Sequence, residues 1–380
     1  MNDLEGSEQS LKKLSRREAL SAVGKISIAA VIAGVAAGVG GYYAGSLARK
    51  GATVTKTVTS PTTGTKIATS TVTDKVKKHF EGIRIRFFCG GNPGNLFSDI
   101  VYRGARDAER DLGPSVEYVF SGWDPEKMVA QFRDAVAAAP DVICMMGHPG
   151  EAALEPLIDE AFSKGIIVTL QNVDLPNIRK KYAGKGMGYV GQVLYDAGVM
   201  LAEGAIERFK LKPGDRALVF GPWQQPGRLF REKGVADTLE KYGLVVERMI
   251  RKPEYATDPM TLLPVLSSYI SAHPDLKLIC YAGGEETGTV YKYMEAIGKK
   301  PGEIINIGFD LNPGVIEGFK RGYLQLTIDQ QPYLQGYLPI LQGCLTKKYK
   351  FTGLYINTGG ALIDATNYKE IEELVEKGYR

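Results

Sequence analysis

Histidine is scarce, with three residues in 380, and they stand apart at positions 79, 148 and 273. Such scattering makes no imidazole cluster of the kind that general-base or zinc chemistry draws on. The four cysteines, at 89, 144, 280 and 344, include no C-x-x-C pair, which excludes a sulfur-held zinc site. Neither a Gly-x-Ser-x-Gly elbow nor a Walker-type phosphate loop occurs. The glycine-rich run at 90–94 is interrupted by Pro93, and no acidic residue closes the second expected strand at Phe120, so it is not a dinucleotide fingerprint. Charge of one sign is lacking as well: 47 basic against 43 acidic side chains leave a formal +4, too diffuse to grip a phosphate backbone. No catalytic set, metal, cofactor or nucleic acid is expected; the chemistry left over is binding without transformation.

What is present is a large core-forming body behind an unusual N-terminus. A chain of this length, 44% hydrophobic and 24% charged, accommodates two domains and an extra segment. Lys12, Lys13, Arg16 and Arg17 precede an apolar run at 26–48, the order of an export signal whose basic side stays cytoplasmic. The paired arginines resemble the twin-arginine export motif, with Ala19 where an aromatic residue is commonest. Two readings of the run stand. About 20 helical residues suffice to span a bilayer, which favours a retained anchor; the small residues Ser46 and Ala48 favour cleavage. From 52 to 73 threonine dominates without apolar periodicity, so the stretch reads as an unfolded linker.

From residue 83 onward, short apolar runs alternate with amphipathic segments. Runs at 83–88, 116–120, 142–146 and 166–170 predict parallel strands covered on both faces, and the spacing of Met128, Phe132, Ala135, Val136 and Ala139 predicts an intervening helix. The pattern restarts with strands at 217–220, 245–250, 278–281 and 304–309, then 324–328, a helix over 332–345 and a last short strand at 355–358. A sheet that long would curl or split, so two doubly wound α/β lobes are expected. The expected divisions are 1–51 leader or anchor, 52–81 linker, 82–188 with 330–352 as N-terminal lobe, and 189–329 with 353–380 as C-terminal lobe, with crossings near Gly188, Gln330 and Phe351. Cys89 and Cys144 would lie on nearby strands, and whether they pair stays open.

The residues at the expected strand ends resemble those of the periplasmic binding proteins of the ribose-binding type, the receptors of simple-sugar ABC transporters. The likeness runs from about 83 to 363. Asn92-Pro93-Gly94-Asn95-Leu96-Phe97 is similar to the family's aromatic loop, with Asn95 and Phe97 as implied ligand contacts. Gln171-Asn172 stands where the family places a polar pair. The stretch 221–231 matches the loop carrying a ligand arginine, a role for which Arg228 and Arg231 compete, with Trp223 as a ring-stacking candidate. Gly308-Phe309-Asp310 and Asp329-Gln330-Gln331-Pro332 look like the family's ligand aspartate and its hinge glutamine. One departure is Gly283-Gly284-Glu285-Glu286, where the family often has an Asn-Asp pair.

A sugar presents flat apolar faces and a rim of hydroxyls, so aromatics and bidentate polar groups suit it. The resemblance implies a monomeric, extracytoplasmic receptor that closes its hinge on a monosaccharide and offers the closed form to an ABC permease. The alternative is a receptor of the same fold that presents a furanose, polyol or nucleoside to a separate signalling protein.

Overall fold

The computed structural model describes residues 78–380 other than Pro226 and Pro253. The expected leader and all but the last four residues of the expected linker lie outside the described residues. Phe80, assigned to that linker, is buried against the first lobe, and its amide donates to the Leu112 carbonyl at 3.0 Å, so the body begins before residue 82.

The chain alternates β1 (Arg84–Gly90), α1 (Leu96–Leu112), β2 (Ser115–Phe120), α2 (Pro125–Ala137), β3 (Val142–Met146), α3 (Glu151–Ser163), β4 (Ile167–Gln171), α4 (Pro176–Tyr182) and β5 (Tyr189–Gly191). It then crosses over to α5 (Leu194–Phe209), β6 (Arg216–Gly221), α6 (Phe230–Tyr242), β7 (Val245–Ile250), α7 (Glu254–Thr257), α8 (Leu263–Ala272), β8 (Leu276–Cys280), α9 (Gly284–Thr287), α10 (Val290–Ile297), β9 (Ile305–Phe309), α11 (Pro313–Lys320) and β10 (Leu326–Asp329). A second crossing leads into α12 (Pro332–Tyr349) and β11 (Tyr355–Asn357), and a third into β12 (Ala361–Asp364) and α13 (Glu372–Glu376).

Two six-stranded sheets result, ordered β2-β1-β3-β4-β5-β11 and β7-β6-β8-β9-β10-β12. All pairings are parallel except β10 with β12. The central strands β3 and β4 are buried along their whole length and β6 along all but Arg216, as continuous apolar runs between two helical layers require. Each lobe has two cores, one on each face of its sheet. Because β11 pairs with β5, residues 355–357 belong to the first lobe, and the third crossing comes after Asn357, not near Phe351. Likewise β5 keeps residues 189–191 in the first sheet, so the first crossing follows Gly191 and not Gly188. Strand β5 has three residues and β12 four, too short for a periodic signal.

The helix that enters each lobe meets that lobe's first helix through a pair of glycines. A Cβ on Gly104 would strike the Tyr333 carbonyl, and one on Gly336 that of Val101; Gly234 and Gly198 stand in the same relation to Tyr195 and Arg231. The registers correspond: 192–198 reads QVLYDAG and 330–336 reads QQPYLQG. One architectural unit is therefore used twice. Such close approach leaves no room for any side chain, and at packed helix crossings overfilling costs ~1–3 kcal/mol.

All four cysteines are free and buried, so Cys89 and Cys144 do not form a disulfide. No helix among the described residues is long and apolar enough to cross a membrane.

Candidate ligand-binding site

Parallel strands bring all their carboxyl ends to one edge, so the loops after β1, β3, β4, β6, β8 and β9 converge between the lobes. At the end of the fourth strand of each lobe the backbone turns through a left-handed residue: Asn172 after β4 (φ 63°) and Asp310 after β9 (φ 75°). These equivalent positions are joined through the second crossing. Asn172 Nδ2 donates to Gln330 Oε1 at 3.4 Å, and Gln330 Nε2 donates to Asp310 Oδ1. All three side chains are buried. Asp310 is not a helix cap, since Asn312 caps α11 by accepting from the Val315 amide. Its carboxylate is instead held by Gln330.

The first lobe contributes an aromatic wall. Trp123, in a left-handed conformation, lies against Gly90 and Gly91, where any Cβ would strike its indole. Its ring stands 5.9 Å from that of Phe97 and 5.2 Å from that of His148. The structure thus unites Trp123 and His148 with Phe97. His148 Nδ1 is enclosed and without a protein partner. Burial, followed by the charges of Arg228 and Arg231, pulls its pKa down to about 3, so the ring is neutral above that value.

The two arginine candidates separate cleanly. Arg231 is fully buried, donates to Glu232 at 3.2 Å and to the Ala282 carbonyl, and lies 3.9 Å over the Phe309 ring. Both of these hydrogen bonds stay within the second lobe. Arg228 is half-buried and reaches Glu232 only at 3.4–3.5 Å. Burial and then Arg231 hold its pKa down to about 10, which leaves it charged at neutral pH and short of partners.

Three other expected contacts are placed differently. Asn95 caps α1 through its oxygen, taking the Ser98 amide at 3.1 Å, while its Nδ2 donates to Glu285 of the opposite lobe at 2.7 Å. It acts as an interlobe clasp with no polar atom left over. Trp223 donates to the Val219 carbonyl at 3.2 Å and carries Arg248 on its face at 5.4 Å, anchored against its own lobe. Gln171 is buried with Nε2 on the Phe88 carbonyl at 3.0 Å, but its Oε1 has no partner. The acidic pair splits as neighbours on one helical turn must: Glu286 holds Arg251 in two hydrogen bonds at 2.6 and 3.1 Å, and Glu285 takes Asn95. Burial, then Glu286, raises the Glu285 pKa. The lobes also touch where Gly227 backs onto the loop after β3; a Cβ there would lie 3.7 Å from the carbonyls of Gly147 and His148.

Gln335 went unnoticed in the sequence. It is fully buried on α12 and hydrogen-bonded to Asn172, Gln330 and Thr358. Among the described residues no group of His, Cys, Asp or Glu could hold a metal ion.

Known proteins of the same kind bear on this geometry. A curated relative, the xylose/arabinose-binding protein XylF of Sulfolobus acidocaldarius, is 27% identical over 227 residues, which is 57% of this chain and 54% of that protein. The chain thus aligns with about half the length of this relative. Among solved structures, an ABC transporter solute-binding protein from Burkholderia graminis in complex with D-arabinose is 22% identical, with TM-score 0.66, over 77% of this chain and 98% of its own. A carbohydrate transporter from Acidothermus cellulolyticus in complex with myo-inositol is 22% identical, with TM-score 0.67, over 78% and 99%. GanP, a glucose-galactose binding protein from Geobacillus stearothermophilus, is 22% identical, with TM-score 0.66, over 76% and 99%. At such identities the likeness establishes the fold. The family model described as periplasmic binding protein domain matches residues 87–343, more than half of the chain. The sequence and its two-lobed structure therefore belong to the periplasmic binding protein domain family.

Proposed function

We propose that this chain is an extracytoplasmic solute receptor that closes on a monosaccharide, with pentoses as the leading class, and delivers it to an ABC permease. The carrying observation is the linked set Asn172, Gln330 and Asp310, which draws one polar group from each lobe and one from the crossing between them. A ligand shifts an open–closed equilibrium only through differential contact with the two states, and groups from both lobes can contact it together only when closed. Phe97, Trp123 and His148 would face the ring, and Asn172, Arg228, Asp310 and Gln330 its hydroxyls. The pentose preference draws on what the Sulfolobus acidocaldarius relative is named for and on the arabinose bound by the Burkholderia graminis protein. The N-terminal segment would tether or export a monomeric body.

A thermal-shift screen of residues 78–380 against pentoses, hexoses, polyols, nucleosides and amino acids tests this. A ligand at 100 times its Kd adds about 2.7 kcal/mol of stability. Stabilisation by xylose or arabinose is expected. Stabilisation by an amino acid and by no sugar would overturn the assignment.

A further inference from the structure

The duplicated register isolates one residue. In QVLYDAG and QQPYLQG, Gln192 corresponds to Gln330, Tyr195 to Tyr333 and Gly198 to Gly336, so Gln335 corresponds to Ala197. Both positions lie on the helix that packs through its glycine onto the lobe's first helix, and alanine serves at one of them. Packing alone therefore does not call for an amide at 335.

The amide is nonetheless fully used. Gln335 Oε1 accepts from Asn172 Nδ2 at 3.0 Å, while Nε2 donates to the Gln330 carbonyl at 2.8 Å, to Gln330 Oε1 at 3.2 Å and to Thr358 Oγ1 at 3.1 Å. Asn172 ends the fourth strand of the first lobe, Gln330 opens the second crossing and Thr358 opens the third. At the first crossing, where alanine stands, both amide atoms of the corresponding Gln192 are buried without a partner.

We propose that Gln335 is a positioning residue of the hinge, tying the second and third crossings to Asn172 so that the ligand groups Asn172 and Gln330 are held in register only when the crossings adopt their closed arrangement. This rests on the site reading above. Carboxamide geometry is needed because one face must accept from Asn172 and the other donate to Gln330 and Thr358, a division that neither a hydrocarbon nor a carboxylate reproduces.

The test uses two variants of the full chain. Gln335→Ala copies the Ala197 position and is expected to fold. Its Kd for D-xylose should rise tenfold or more, and in the absence of any sugar its interlobe distance distribution, measured with spin labels on the two lobes, should broaden toward open. Gln335→Glu is the chemical control. Burial raises the pKa of an enclosed carboxyl, and once protonated it again offers one donor and one acceptor. The ratio of variant to wild-type Kd should therefore be about ten or more at pH 8 and fall toward about three at pH 5. Asp310, Asp329 with its partner Arg380, and Tyr189 surround this network and are the same in both proteins, so only the ratio is read. A ratio independent of pH, or an unbroadened sugar-free distribution in Gln335→Ala, overturns the proposal. If the wild type binds no pentose, the sugar reading fails and the sugar-free distance distribution decides on Gln335.

Discussion

The two lobes share strand order, helix-crossing glycines and a left-handed residue after the fourth strand, yet beyond their strand ends they carry opposite chemistry. The first lobe offers neutral groups: the Phe97 and Trp123 rings, an uncharged His148 and the amides of Gln171 and Asn172. The second offers charge: Arg228, the Arg231–Glu232 pair, the Arg251–Glu286 pair, Glu285 and Asp310. The duplicated framework is shared packing, whereas the loops beyond the strand ends are free to diverge because no sheet or helix contact constrains them. Even equivalent positions differ by one charge, as Asn172 and Asp310 do.

The largest expected effect tests whether that charge belongs to the fold or to the ligand. Arg231 occupies the position of Val101 in the first lobe, and replacing it with alanine takes the fully buried partner from Glu232 and leaves it only the longer contact with Arg228. Urea unfolding should show a loss of ~3–5 kcal/mol, whereas an Arg228→Ala variant should unfold within about 1 kcal/mol of wild type and lose ligand affinity instead. Equal stabilities of the two variants would dissolve the distinction between structural and ligand arginine.

Next in size are the ligand groups. Asp310→Ala removes a charged partner and should cost ~1.5–3 kcal/mol of binding, and Asn172→Ala, a neutral one, ~0.5–1.5 kcal/mol. Calorimetry that reversed this order would mean the neutral lobe dominates. Gly104→Ala and Gly198→Ala should each destabilise by ~1–3 kcal/mol; a large effect in one lobe and none in the other would break the structural equivalence.

The pH dependence follows from His148. Its pKa falls from an unfolded value near 6.5 to about 3 in the folded protein. Between these values the unfolded chain binds the extra proton, so stability falls as pH drops below 6.5, with the full penalty reached below about 3. In His148→Phe this part of the stability–pH curve should flatten, as read from unfolding midpoints between pH 4 and 7. The smallest effect is expected at Trp223: its replacement by leucine should change Kd less than about twofold, since its indole is spent on Val219 and Arg248 of its own lobe.

Much of this was legible in the sequence. Eight apolar runs and their restart announced two parallel sheets, and the residues after them announced the cleft, because a parallel sheet gathers its strand-to-helix loops at the edge formed by its carboxyl ends. Less legible was which strand-end residue faces inward. Trp123 and Trp223 both follow a strand and a glycine, but only Trp123 joins the aromatic wall, and Asn95 looked like a ligand contact while the fold uses it as a cap and a clasp. Gln335 was hidden for another reason: its meaning lies in a comparison with Ala197 across the duplicated register, and a single glutamine on a long helix carries no local signal.

By itself the amino-acid order determined the alternation of strand and helix, the two lobes and the polar character of their strand ends, since these follow from local periodicity and short-range turn chemistry. Tertiary structure alone decided the lobe to which 355–357 belongs, the separation of Arg228 from Arg231, the neutrality of His148 and the linkage of Asn172, Gln330 and Asp310. Each of those depends on burial and on partners distant in the chain, and the free energy of a charge or an amide is set by what surrounds it in space.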